Sequence, residues 1–329
     1  MTTTKDSASN EGKVAIVTGS SRGIGASIAR RLASEGFTVI VNYAGRAADA
    51  DAVVAAIRAA GGRAEAIQAD VSAPAQVAAL FDQAATLFGG VDVLVNNAGV
   101  MQPGLVPLSE TDDALFEKIV GVNLKGTFNT LRVAAKKLRQ GGRIVNFSSS
   151  VRALALPGYS VYAATKSAVE TLTLIFAKEL RGRNITVNAV APGPTATDLF
   201  LTGKTQEQID HLAKMPPMER LGTPEDIAAT VSFLVGPDGG LLASRANRRY
   251  TMPYHAMLDP LPPRASRTKW FLVAPHGLGC AVSMIEAIQH VGLRLALEFP
   301  NIDMSWMPHY SAQRCRECRS EPLAQRRRE

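Results

Sequence analysis

A short β-branched run, Val14-Ala15-Ile16-Val17, leads directly into Thr18-Gly19-Ser20-Ser21-Arg22-Gly23-Ile24-Gly25. A helical periodicity then runs from Ile24 to Ser34 and stops at Gly36. A strand that turns on glycine and enters a helix is the opening of a βα unit, and few architectures begin that way. Gly19 permits the turn, while Gly23 and Gly25 let backbone amides approach a pyrophosphate at the helix N-terminus. A glycine-rich turn with no ligand is the bland alternative. The position between first strand and first helix favours phosphate binding over it.

The same alternation continues along the chain. Thr38 to Tyr43 reads as a second strand, Ala47 to Ala60 as an Ala-rich helix closed by Gly61-Gly62, and Glu65 to Gln68 as a third strand. Pro74 opens another helix at a position that suits proline. Val91 to Val95 is a fourth strand, Ile144 to Phe147 a fifth, Tyr159 to Leu180 a long helix, and Ile185 to Val190 a sixth strand. Several strands are near-continuous apolar runs, the pattern of a parallel sheet covered on both faces. Six βα units in order predict an α/β fold: one doubly wound parallel sheet of Rossmann type, with ligands beyond the carboxyl ends of the strands.

Composition changes near Asp238-Gly239-Gly240. With 46% apolar and 20% charged residues over 329 positions, the chain can bury a sizeable core. Its formal charge of +7 is uneven, because residues 241–329 hold 13 of the 36 Lys and Arg but 7 of the 29 Asp and Glu. That segment also holds all three cysteines, both tryptophans and four of the five histidines. The nearly neutral first 240 residues give no basic footprint for a nucleic acid. The expected organisation is a disordered N-terminus (1–11), a dinucleotide-binding and catalytic domain (12–238) and an atypical C-terminal extension (239–329). Three readings of the extension stand: translation out of its original frame, a genuine module with a strand at Phe271 to Ala274 and a helix at Ala281 to Val291, or a disordered basic tail. Cys315-Arg316-Glu317-Cys318 is a single CxxC with too few helpers for zinc, so no metal is expected. The apolar run Trp270 to Ile285, interrupted by Pro275 and His276, is too short for a membrane span. Met1 to Lys13 lacks the apolar run of a signal peptide, which predicts a cytoplasmic protein.

Tyr162 and Lys166 stand four apart in the long helix and so share a face. One ammonium at about 4 Å, in an effective dielectric near 20, supplies roughly 4 kcal/mol. That is enough to bring a tyrosine from about 10 to about 7, where general acid–base work needs it. By spacing alone an exposed surface pair would be the commoner outcome. The company the pair keeps favours chemistry. The glycine loop has the spacing T-G-x-x-x-G-x-G, and Asn96-Asn97-Ala98-Gly99, then Asn123 in Val122-Asn123-Leu124, follow it. Ser149 precedes Tyr162 by thirteen residues, Tyr162-Ala163-Ala164-Thr165-Lys166 carries YxxxK, and Pro192-Gly193 follows the sixth strand.

With these motifs in order over about residues 12 to 238, the sequence resembles the short-chain dehydrogenase/reductase family, near bacterial 3-oxoacyl-carrier-protein reductases and related alcohol and sugar dehydrogenases. The resemblance implies an oxidoreductase that moves a hydride between a nicotinamide cofactor and a small carbonyl or alcohol substrate. It implies that Tyr162 protonates the developing alkoxide and that Ser149 holds the substrate oxygen. It implies that Lys166 holds the nicotinamide ribose and lowers the Tyr162 pKa, and that Asn123 anchors a water relaying protons to Lys166. Ser148 and Ser150 flank Ser149, and the family interval selects the middle one. A homo-oligomer is implied too, although the glycines of the family's seventh strand are absent after residue 240 and Arg248-Arg249 stand near their place. The alternatives are a sugar or steroid-type alcohol dehydrogenase, or a relative that binds cofactor without catalysis or fails to assemble.

The end of the second strand decides between cofactors. An NAD site has an acid there for the ribose 2′-hydroxyl. Here Asn42-Tyr43-Ala44 occupies the place, no Asp or Glu occurs from Gly36 to Ala48, and Arg22 and Arg46 can pair with a 2′-phosphate. NADP(H) is therefore predicted ahead of NAD(H). Cofactor contacts are expected from Gly19, Ser21, Arg22, Gly23, Ile24 and Gly25, from Asn42 and Tyr43, and from Asn97, Ala98 and Gly99 on the floor. Tyr162 and Lys166 join them. Asp70 and Val71 resemble the pair that contacts adenine, though an acid at a helix N-terminus reads the same way. Pro192, Gly193, Thr195 and Thr197 resemble the segment holding the nicotinamide amide. Substrate is expected against Met101, Val151, Arg152, Leu154, Tyr159 and a lid from Leu199 to Pro217 with a helix at Gln206 to Lys214. Arg152 either meets a substrate anion or stays on the surface.

Overall fold

The structure is a computed structural model in which residues 10–241 are described. The readings made for residues 1–9 and for the tail beyond Leu241 lie outside the described residues.

The six strands are β1 (Val14–Val17), β2 (Thr38–Tyr43), β3 (Arg63–Gln68), β4 (Val91–Asn96), β5 (Leu138–Phe147) and β6 (Thr186–Val190). They form one sheet in the order β3-β2-β1-β4-β5-β6, and every neighbouring pair is parallel. This is the predicted doubly wound fold. The chain builds outward to β3, then crosses back over β1 to start β4, so the loops after β1 and β4 leave in opposite directions and open a crevice between them.

The helices are α1 (Gly23–Ser34), α2 (Ala47–Ala59), α3 (Pro74–Phe88), α4 (Asp113–Ile119), α5 (Thr127–Lys137), α6 (Val151–Leu154), α7 (Ser160–Glu179), α8 (Asp198–Leu201), α9 (Gln206–Lys214) and α10 (Pro224–Val235). Two cores lie on opposite faces of the sheet. Ala15 and Val17 of β1 pack with Ile28 and Leu32 of α1, Val53 and Ile57 of α2, and Val231 and Leu234 of α10. Val14 and Ile16 pack the other way, with Leu80 and Phe81 of α3 and Leu131 of α5. One four-residue strand feeds both cores, which is why it reads as a continuous apolar run. Each such side chain contributes roughly 1.5–3 kcal/mol on burial. Among the described residues no helix is long and apolar enough to cross a membrane.

Two stretches differ from the sequence reading. β5 begins at Leu138, not Ile144, because its register against β4 jumps from Val91↔Leu138 to Val93↔Arg143. The intervening residues bulge out through Gly141 at φ +78, and Arg139-Gln140-Gly141-Gly142 has the composition of a turn. Between β4 and β5, where periodicity singles out no element, lie α4, a π-helical segment Val120–Gly126, and α5. Asp112 caps α4 by accepting from the Leu115 N–H at 2.7 Å. The π segment carries glycine at both ends of its 121–126 stretch and departs from the 3.6-residue period, so no helical stripe spans it.

Candidate active site

The crevice is assembled from backbone that approaches backbone. A Cβ added at Gly19 (φ +61) would lie 2.9 Å from Ala98 Cα, and one at Gly25 would lie 2.5 Å from Asn97 Nδ2. Asn97 Nδ2 donates to the carbonyls of Thr18 and Gly19 at 2.9 and 3.0 Å, tying the loops after β1 and β4 together. The first turn of α1, which no side chain caps, lines the groove so formed. With its open mouth the groove holds about 1200 Å³.

The residues predicted for the pyrophosphate and adenosine all reach this groove: Gly19, Ser21, Arg22, Gly23, Ile24, Gly25, Asn42, Tyr43, Asp70, Val71, Asn97, Ala98 and Gly99. Asn42 is a correction in kind. It is 1% exposed and its amide is committed, accepting from the Gly19 N–H and donating to the carbonyls of Ile67 and Ala69. It therefore shapes the wall through the protein's own hydrogen bonds and leaves no side-chain donor for a ligand. Asp70 accepts from both the N–H and the hydroxyl of Ser72 at 2.8 Å, so it acts as a turn acid while standing on the groove wall.

The groove fits a dinucleotide carrying a 2′-phosphate. Glycines leave the space that a Cβ would fill, an uncapped helix N-terminus favours an anion, and the end of β2 presents no carboxylate. Arg22 and Arg46 both line it, and their partners are surface acids: Asp198 at 3.7 Å and Asp49 at 3.2 Å. Exposed pairs of this kind are weak and exchangeable.

A second cavity, about 920 Å³ with its mouth, adjoins the groove across Ile24, Asn97, Gly99 and Thr197. Ser149, Tyr162 and Lys166 meet there. Ser149 sits on the loop after β5, while Tyr162 and Lys166 project from successive turns of α7. Ser149 stands close enough to the Tyr162 hydroxyl to pull its pKa down. Ser148, by contrast, is turned towards α7 and donates to Glu170 Oε1 at 2.7 Å, which separates the middle serine from its neighbour. Lys166 Nζ donates to the Phe147 carbonyl at 2.9 Å and lies 5.6 Å from the Tyr162 ring centroid. A Cβ on Gly99 would stand 3.4 Å from Asn123 Oδ1 and 3.6 Å from Lys166 Nζ, so Asn123 backs the same floor. Its side chain clamps Val100, accepting from the N–H at 2.8 Å and donating to the carbonyl at 2.9 Å. The π-helical segment, a distortion frequent at functional sites, is what carries Asn123.

Protonation departs from the sequence expectation. Burial pushes Tyr162 up to about 12, against a downward pull from Ser149. Burial also brings Lys166 down to about 8. The ammonium is directed at the Phe147 carbonyl and does not offset the desolvation of the phenol, so the anticipated tyrosine near 7 is not found. At neutral pH the arrangement is a protonated phenol beside a charged lysine.

Pro192, Gly193, Thr195 and Thr197 line this second cavity. Thr195 donates to the Gly193 carbonyl at 2.9 Å, and Thr197 caps α8 by accepting from the Phe200 N–H. On the substrate side Met101, Val151, Leu154, Tyr159 and Leu199 are in place. Arg152 is not. Its Nε lies 2.9 Å from Glu170 Oε1, an ion pair without hydrogen-bond alignment, and it does not line the cavity. Glu170 escaped the sequence reading although it stands one turn past Lys166, where i,i+4 spacing points to it. Leu156 and the Phe147 carbonyl were also missed, and no local pattern marks them.

Residues 19–243 match a family model described as Enoyl-(Acyl carrier protein) reductase. A short-chain type dehydrogenase/reductase of Picea abies is 45% identical, covering 69% of this chain and 87% of its own. An NADPH-dependent aldehyde reductase-like protein of Arabidopsis thaliana is 44% identical, covering 70% and 89%. Among solved structures, a short chain dehydrogenase of Burkholderia cenocepacia in complex with NADP superposes with a TM-score of 0.68 at 40% identity, covering 72% of this chain and 95% of that one.

Proposed function

The chain belongs to the short-chain dehydrogenase/reductase family, and from that premise we propose that it reduces ketones or aldehydes with NADPH through Ser149, Tyr162, Lys166 and Asn123. The observation that carries the reading is the Ser149–Tyr162 hydroxyl pair beside Lys166, at the junction of a glycine-lined groove and an apolar cavity. Two hydroxyls converging on one point suit a carbonyl oxygen that becomes an alkoxide. The NADP complex of the Burkholderia relative and the NADPH dependence of the Arabidopsis one support the cofactor.

When bound, the dihydronicotinamide supplies the hydride that reaches the carbonyl carbon. The protein's own residues do the rest. Ser149 donates to the carbonyl oxygen and fixes its position. Tyr162 passes its proton to that oxygen as negative charge builds. Lys166 holds positive charge behind the phenol and offers hydrogen-bond donors towards the groove. Asn123 keeps the segment after β4 against Lys166, with Gly99 as the floor. A phenol held near 12 is protonated at every working pH, the state that reduction needs. The acyl, alcohol and sugar variants of the reading differ only on the substrate side, where the outer wall is mainly apolar.

The direct test is NADPH oxidation, followed by absorbance, with a panel of ketones, aldehydes, 3-oxoacyl esters and aldoses, repeated across pH. On raising the pH, Lys166 loses its proton first, at about 8, and the phenol much later. The reductive kcat/KM should therefore hold level to about pH 7 and then fall towards tenfold per pH unit. A profile that stays flat to pH 10 contradicts the role given to Lys166.

Cofactor choice is tested separately. In Arg22→Ala/Arg46→Ala, kcat/KM with NADPH should drop by about 10²-fold or more, each charge-assisted bond contributing roughly 1.5–3 kcal/mol. The value with NADH should hardly change. Equal losses with both cofactors would remove the 2′-phosphate assignment.

A further inference from the structure

We propose that the reacting cavity selects neutral carbonyl compounds with an apolar body and rejects the same compounds when they carry a carboxylate or phosphate. This rests on the reductase reading and deepens it. The outer wall consists of Met101, Leu154, Leu156, Leu199, Phe200 and Leu212. Among the described residues lining the cavity, Lys166 is the one charged side chain, and it stands at the bottom, donating to the Phe147 carbonyl.

Of the cations close to the wall in sequence, Arg152, Lys204 and Arg22 are engaged with protein groups, and Lys214, two residues past Leu212, does not line the cavity. Arg152 lies between Val151 and Leu154, yet it is paired with Glu170. Lys204, beyond the α8 segment, donates to the Phe200 carbonyl at 2.6 Å and rests its ammonium 4.6 Å from the Phe200 ring centroid. Arg22 pairs with Asp198 on the cofactor side.

Besides Ser149 and Tyr162 at the reacting oxygen, the hydroxyl residues Tyr159, Thr195 and Thr197 line the cavity, and none of them carries a charge to pair with an anion. The substrate's body meets mainly methyl, thioether and ring surface. A carboxylate carried into that space is desolvated with no cation on the wall to pair with, and an unpaired buried charge is strongly disfavoured. Glu170 pairs with Arg152, whose side chain does not line the cavity although its neighbours Val151 and Leu154 do.

The test uses matched pairs with the full chain and NADPH: benzaldehyde with 4-carboxybenzaldehyde, and acetophenone with 4-acetylbenzoate. A para carboxylate alters the carbonyl's own reactivity little, so the ratio reads the walls. The neutral member should exceed its acid by at least about 100-fold in kcat/KM, mostly through KM. Leu156→Arg, which places a cation on the wall outside any helix, should narrow that ratio at least tenfold. Pairs that react within threefold of each other, or a ratio that Leu156→Arg leaves unmoved, would overturn the proposal. No turnover of either member, from protein that still quenches or shifts NADPH fluorescence, would instead overturn the reductase reading and this inference with it.

Discussion

Tyr162→Phe should lower NADPH-dependent turnover by about 10³-fold or more while leaving NADPH affinity within a few fold of the parent. The substitution removes one oxygen and keeps the buried ring, so α7 and the cavity wall retain their packing. What is lost is the proton donor. Positioned acid catalysis is worth roughly 10²–10⁴-fold, and the remaining hydroxyl, Ser149, is a far weaker acid. Phenylalanine has no ionisable proton, so raising or lowering the pH across the working range should not restore the variant. In the proposed reading NADPH is held chiefly by the glycine loop, the arginines and Lys166, all of which remain when the single Tyr162 oxygen is removed. Measured kcat within tenfold of the parent, with unchanged NADPH fluorescence titration, would mean that another group supplies the proton.

What the sequence makes legible, and what it hides, follows from how local each cause is. Gly19 and Gly25 announce the crevice because a close backbone approach leaves no choice of residue, Gly23 because its φ is +54, and the apolar runs announce a sheet covered twice. The helix Gln206–Lys214 is legible in its local pattern, and the structure closes its start with a capping box of Thr205 and Gln208. The π-helical Val120–Gly126 is hidden because its period matches neither template, although it carries Asn123. The Leu138 start of β5 is hidden behind a bulge that imitates a turn. Arg152 stays open in the sequence because its partner, Glu170, comes from another element. The Tyr162 pKa is misread because Coulomb attraction is a pairwise quantity, visible in a spacing, whereas desolvation depends on everything packed around the pair. In this site desolvation wins.

Lys166→Met should separate stability from function, raising the melting temperature while turnover falls by about 10²-fold or more. Burial brings Lys166 from 10.5 to about 8. At pH 7, below both values, the folded state carries the full cost of a desolvated charge, about 3 kcal/mol at 1.36 kcal/mol per pKa unit. The sign then follows. Between about 8 and 10.5 the folded protein releases this proton while the unfolded chain keeps it, so the cost fades as the pH rises. Methionine has a similar shape and no charge. It forfeits the hydrogen bond to the Phe147 carbonyl, worth roughly 1 kcal/mol, for a net gain of about 1–3 kcal/mol. For a domain of this size that is a rise of about 3–8 °C. The advantage of the Met variant should shrink at pH 10, where the parent buries a neutral amine. A Met variant that melts lower than the parent at pH 7, by scanning calorimetry, would mean that the ammonium is well satisfied where it lies. The fall of kcat/KM above pH 8 would then need another source.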